Sequence, residues 1–188
     1  MDPIKKKVVI LGDSSVGKTA FINRFVMGVF TENTRPTISA AYKSRSTISK
    51  GLELEIQFWD TAGEEKYRSL APIYVQDAFM AILMFDVTNR ESYQSIELWY
   101  ELSQSRGTIP VIILGNKNDL DDRFTSVSTL ENEISEKYNS VYLDISAKLG
   151  MNVEPSFQAI VDEIEKLPIE SKDPRTIRAK KKSEEACC

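Results

Sequence analysis

The segment Gly12-Asp13-Ser14-Ser15-Val16-Gly17-Lys18-Thr19 constrains this chain more than any other. It fills the pattern G-x-x-x-x-G-K-[ST] at every position. Lys7-Val8-Val9-Ile10-Leu11 precedes it and is almost wholly apolar. Such a run predicts a strand buried on both faces, the habit of parallel sheets. A run with helical spacing, Ala20 to Val26, follows. Strand, loop and helix in that order turn the backbone N–H groups of Ser14 to Ala20 toward one concavity that favours anions. Gly12 and Gly17 let the chain turn and approach a phosphate closely. Lys18 can reach terminal phosphates, and the Thr19 hydroxyl suits Mg²⁺. Ser14 and Ser15 need no catalytic role. The plain alternative is a Gly/Ser turn before a capped helix.

The rest of the chain fits the same sheet. Phe79 to Phe85 and Val111 to Leu114 are further apolar runs, and Val141 to Ile145 is a weaker one. Helical spacing recurs at Tyr93 to Leu102, Leu130 to Tyr138 and Val153 to Leu167. Strands alternating with helices predict a parallel α/β sheet. Ala41 to Ser49 and Leu52 to Trp59 flank Lys50-Gly51 and predict a hairpin, hence one antiparallel edge strand. A single domain is expected over residues 1–168. Residues 169–188 are polar and charged, and are expected to form a disordered tail.

Composition narrows the chemistry. The 188 residues contain no histidine, which excludes a Ser–His–Asp triad, a Cys–His pair and a histidine metal site. Catalysis then falls to carboxylates, lysine, arginine, hydroxyls, backbone N–H groups or a bound ion. The two cysteines are the last two residues, which excludes a disulfide framework and suits a reducing cytosol. A net charge of −4 argues against nucleic-acid binding. No secretory signal or membrane-spanning run is expected, because the apolar runs are short.

A phosphate loop alone leaves kinase, ATPase and GTPase open. Gly115-Asn116-Lys117-Asn118-Asp119-Leu120 and Ile145-Ser146-Ala147-Lys148 decide between them. Each follows a predicted strand, the side on which open α/β sheets bind ligands. Asp119 accepts hydrogen bonds only. It suits the adjacent N1–H and N2 donors of guanine and would repel the N1 acceptor of adenine. Asn116 can tie the loops together or contact the base. The stem of Lys117 can cover the ring, and the Ala147 N–H can donate to guanine O6.

In this order the motifs resemble the Ras-like small GTPases, over about Lys5 to Leu167. The resemblance implies a P-loop NTPase G domain: a six-stranded, mostly parallel sheet with one antiparallel edge strand and helices on both faces. It implies GTP or GDP as ligand, with Mg²⁺ held by Thr19, Thr37 and Asp60. By the same resemblance Thr37 and Gly63 contact the γ-phosphate in the GTP form, and Phe30 packs against guanine. Burial in the core is the other reading of Phe30. Lys18, Thr37 and Glu64 are the implied catalytic residues.

The terminal Cys187-Cys188 is similar to the Rab branch, whose members carry two geranylgeranyl groups there. One lipid chain holds a membrane marginally and two hold it stably. Lys180 to Lys182 would add attraction to anionic lipid, against Glu184 and Glu185. A solvated charge run is the plain alternative for the tail. Tyr42, Trp59 and Tyr74 fall where Rab proteins carry three surface aromatics that effectors read; core burial is the alternative. "SLAPIY" and "SAAY" look closest to the early-endosomal group, although Ser39 replaces its usual glycine. The implied partners are an exchange factor, an activating protein, escort and extraction proteins, effectors and the cytosolic face of endomembranes.

One residue departs from the pattern. Glu64 stands where the family usually has glutamine. Ionised, it keeps an acceptor for the attacking water, loses a donor and brings negative charge toward the phosphates. Two unit charges ~4 Å apart repel by about 4 kcal/mol at an effective dielectric of about 20, an upper bound that Lys18 and Mg²⁺ offset. Even about 1.4 kcal/mol slows a step roughly tenfold. The structural alternative is a carboxylate that supports a helix N-terminus and pairs with Arg68 at i,i+4. The expectation is slow GTP hydrolysis. Two rivals stay open, a P-loop small-molecule kinase and a scaffold that binds GTP without turning it over.

Overall fold

The computed structural model describes residues 3–32, 41–61 and 71–166. Strand β1 is Ile4–Leu11, and the phosphate-loop segment leads from it into helix α1, Lys18–Met27. The hairpin consists of β2, Ala41–Ser49, and β3, Leu52–Asp60. The short helix α2, Ala71–Val75, leads to β4, Met80–Asp86. Helices α3, Arg90–Gln94, and α4, Ile96–Ser103, precede β5, Val111–Asn116. Helix α5, Val127–Tyr138, β6, Val141–Asp144, and α6, Val153–Lys166, complete the described chain.

The strands form a six-stranded sheet in the order β2-β3-β1-β4-β5-β6. β1 pairs in parallel with β3 and β4, β4 with β5, and β5 with β6. Only the β2–β3 pairing is antiparallel, and β2 lies at the edge. The hairpin turn needs two left-handed residues, and Lys50 (φ 49°) and Gly51 (φ 77°) supply them. Its register pairs Ser49 with Leu52 and Tyr42 with Trp59.

Alternation along the strands divides the core in two. Val8 and Ile10 of β1 face Phe21 and Phe25 of α1 and Phe157 and Ile160 of α6. Val9 and Leu11 point the other way, into a cluster with Val75, Ile96, Trp99, Leu130 and Ile134. Helices therefore cover both faces, and every residue of β4 is buried. β3 alternates between buried and half-buried positions. Phe25 packs edge-on against Phe58 and Phe157, with centroids 4.7 Å and 5.3 Å away.

Two elements differ from the sequence expectation. The helix predicted over Tyr93 to Leu102 is two helices that meet at Ser95. The Ser95 hydroxyl donates to the Glu91 carbonyl four residues back, a contact that bends helices. Helix α2 is not anticipated, because five residues with Pro72 in the first turn carry no readable period. The strands β1, β4, β5 and β6 all run the same way, so the loops after them gather at one edge of the sheet.

Candidate guanine-nucleotide site

The phosphate loop is folded so tightly that two of its positions admit no side chain. At Gly12, φ is +149° and an added Cβ would lie 2.2 Å from the Met84 carbonyl oxygen of β4. At Gly17, φ is +98° and a Cβ would lie 2.2 Å from Asn116 Nδ2. Gly17 is also the N-cap of α1, with no side-chain cap and no acidic residue in the first turn. The orphan N–H groups of this helix start are therefore left for an anion.

Lys18 is buried, and its Nζ donates to the Gly12 and Asp13 carbonyls at 2.8 Å and 2.7 Å. Burial lowers its pKa to about 8, against the pull of Asp60 and Asp13. A polyphosphate would supply the negative charge that this buried ammonium lacks. Asp13 accepts a hydrogen bond from Trp99 Nε1 at 2.9 Å, which braces the loop on α4. Thr61 ties the end of β3 to Ile10 through its hydroxyl, at 2.6 Å.

Thr19 and Asp60 meet directly. The Thr19 hydroxyl donates to Asp60 Oδ2 at 2.7 Å, joining the start of α1 to the end of β3. A hydroxyl and a carboxylate are hard oxygen donors, the kind Mg²⁺ takes together with substrate phosphates. The pair fits that ion.

The two stretches expected to read the base are joined to the phosphate loop by Asn116. This residue is 2% exposed. Its Nδ2 donates to the Val16 carbonyl at 2.8 Å, and its Oδ1 accepts from the Ala147 N–H at 3.1 Å. Asn116 thus ties the loops together. Ser146 is fully buried and donates to Asp119 Oδ1 at 2.6 Å, while its own oxygen accepts from the Leu149 N–H. That holds the acceptor carboxylate beside the Ser146–Lys148 loop.

Lys117, in a left-handed conformation (φ 69°), pairs with Asp86 at 2.6 Å. Asp86 in turn accepts from the N–H and hydroxyl of Thr88. Below this loop Arg123 bridges Asn118 Oδ1 at 2.6 Å and Asp144 Oδ2 at 2.5 Å. Tyr142 donates to the other Asp144 oxygen, and burial followed by that carboxylate pushes its hydroxyl pKa up.

Some predicted positions are only partly brought together. Ser14 and Ser15 are exposed, Val16 and Ala20 are buried, and Lys148 pairs with Glu32 at 3.2 Å. Phe30 is partly buried against the core cluster of α1 and α6. Tyr42 is 54% exposed and stacks on Trp59 at 5.4 Å. Tyr74 is half-buried against the opposite core cluster, and no ring contact joins it to that pair among the described residues. Thr37, Gly63, Glu64, Cys187 and Cys188 lie outside the described residues.

Sequence reasoning missed Trp99, Asp86 and Arg123. Asp86 carried a signal, a carboxylate at the end of an all-apolar strand on the ligand-binding edge. Trp99 lies 86 residues from its partner and carried none.

Comparison with known proteins agrees with this geometry. The model of the Ras family matches residues 7–166. Ras-related protein RabG2 of Dictyostelium discoideum is 32% identical over 87% of this chain and 84% of its own length. Ras-related protein Rab-11A of the same organism is 36% identical over 90% of this chain and 82% of its own. With a phosphate loop, a Thr–Asp oxygen pair and two tethered base-reading stretches on one sheet edge, this chain belongs to the Ras superfamily of small GTPases, in its Rab family.

Proposed function

We propose that this protein binds GTP, hydrolyses it slowly to GDP and phosphate, and acts as a membrane-attached switch in vesicle traffic. The observation that carries the nucleotide reading is Asn116, which holds the phosphate loop and the Ala147 loop at once. A kinase for small molecules has no use for that tether between phosphate and guanine readers. Asp119 takes the N1–H and N2 donors of guanine, and N–H groups of the Ala147 loop face O6. Lys18 and the uncapped start of α1 take the terminal phosphates. Thr19 and Asp60 would hold Mg²⁺ with Thr37, and the ion would offset phosphate charge. Gly63 and Thr37 order with the γ-phosphate, so the GTP form presents a different surface. Glu64 orients water poorly and adds negative charge, which slows the step.

Membrane attachment would come from the Cys187-Cys188 pair, read as the acceptor of two prenyl groups. No helix among the described residues is long and apolar enough to cross a membrane. Exposed Tyr42, stacked on half-buried Trp59, forms the aromatic surface for effectors. The likeness to the early-endosomal group favours an endosomal membrane.

Displacement of bound fluorescent GDP tests the nucleotide reading. GDP and GTP should displace it at stoichiometric levels and ATP should not at roughly thousandfold excess. Displacement by ATP would favour the kinase. Bound GTP that never converts to GDP, even with an activating protein, would favour the scaffold.

A further inference from the structure

Arg24 lies in α1, beyond the residues assigned to the nucleotide, yet its side chain reaches the base-reading loop. Nε donates to the Ala147 carbonyl at 3.0 Å, and Nη2 to the Lys148 carbonyl at 2.5 Å. Nη1 donates to the Gly28 carbonyl at 3.0 Å, just past the end of α1. One guanidinium thus fixes two successive peptide groups of the loop to the helix that starts at the phosphate loop. Only arginine has a rigid fork with enough donors for three carbonyls.

The orientation follows from the peptide bond. In a trans peptide the N–H points opposite to the C=O. Arg24 holds the Ala147 carbonyl, so the Lys148 N–H of that peptide points away from Arg24. Asn116 holds the Ala147 N–H from the other side. The loop is therefore clamped on both sides: Asn116 takes the Ala147 N–H, and Arg24 sets the direction of the Lys148 N–H. The Lys148–Glu32 pair adds a second link, so Gly28 and Glu32 are both fastened to the loop, with Phe30 between them.

We propose that Arg24 is a positioning residue for guanine: it aims the Lys148 N–H at O6 and slows nucleotide release. The proposal rests on the guanine reading above. Loss of one charge-assisted hydrogen bond corresponds to release about tenfold faster.

The test uses the full-length chain loaded with Mg²⁺ and nucleotide, with Arg24→Met and Arg24→Lys. Release of ribose-labelled GDP should quicken about tenfold in Arg24→Met and less in Arg24→Lys, which keeps one donor group. Affinity ratios separate positioning from general loosening. 6-Thio-GDP changes only the O6 acceptor, whereas IDP lacks only the N2 amine that Asp119 reads. The preference for GDP over 6-thio-GDP should shrink by about threefold or more in Arg24→Met, while the preference over IDP stays. An unchanged 6-thio-GDP ratio, or an equal loss in both ratios, would overturn the role of Arg24. A wild-type chain indifferent to both analogues would overturn the guanine reading, and Arg24's role with it.

Discussion

Replacing Asn116 by alanine removes two hydrogen bonds from a site that water scarcely reaches. The Val16 carbonyl loses its 2.8 Å donor and the Ala147 N–H its 3.1 Å acceptor. A buried polar group left unsatisfied costs about 1–3 kcal/mol, so the pair is worth about 2–6 kcal/mol. A water entering the vacated space recovers part of this, which places the expected loss near 3 kcal/mol, or about a hundredfold in affinity. The loss should fall on nucleotide binding, because Asn116 joins the loops proposed to hold opposite ends of the ligand. The assay is release of fluorescent GDP at fixed Mg²⁺ concentration, with Asn116→Asp beside Asn116→Ala. Aspartate keeps an acceptor for Ala147 but sets an oxygen against the Val16 carbonyl, so it should release GDP at least as fast as alanine. Wild-type release from Asn116→Asp would refute the loop-tying role.

Two further predictions follow from the buried charges. In the nucleotide-free chain the Lys18 pKa is lowered to about 8, chiefly by burial. Bound polyphosphate raises it, so above that pH binding takes up a proton and affinity falls as pH rises. From pH ~7 to ~9 GDP affinity should drop about tenfold, most of it above pH ~8, and calorimetry in buffers of different ionisation heat should detect the proton uptake. A pH-independent affinity would contradict the buried, proton-losing Lys18. Arg123→Met leaves Asp144 buried without its cation, which costs about 3 kcal/mol. Urea unfolding of the GDP-loaded chain should show that loss, and a change below about 1 kcal/mol would mean the pair adds nothing beyond packing.

Local pattern carried much of the fold into the sequence. Val8 to Leu11 and Met80 to Phe85 are apolar runs of strand length, and Lys50-Gly51 sits between two strand-like segments, so these elements were legible. The phosphate-loop segment and the two stretches proposed to read the base stood out in the sequence because each is contiguous. What joins them did not. Asn116 meets Val16 across 100 residues, and Arg24 meets Lys148 across 124. Such contacts depend on how α1 and β5 are placed on the sheet, which no periodicity records. The break at Ser95 was hidden for a different reason: one hydroxyl competing for a helix carbonyl leaves the apolar spacing intact. Tyr74 shows the limit of position alone, since its ring packs partly against the core while Tyr42 stays at the surface.

The proposed slow switching rests on Glu64, and single-turnover GTP hydrolysis tests it directly. At neutral pH, Glu64→Gln should hydrolyse faster than the wild type, by about tenfold if the carboxylate adds 1.4 kcal/mol to the barrier. A Glu64→Gln chain no faster than the wild type would contradict the account.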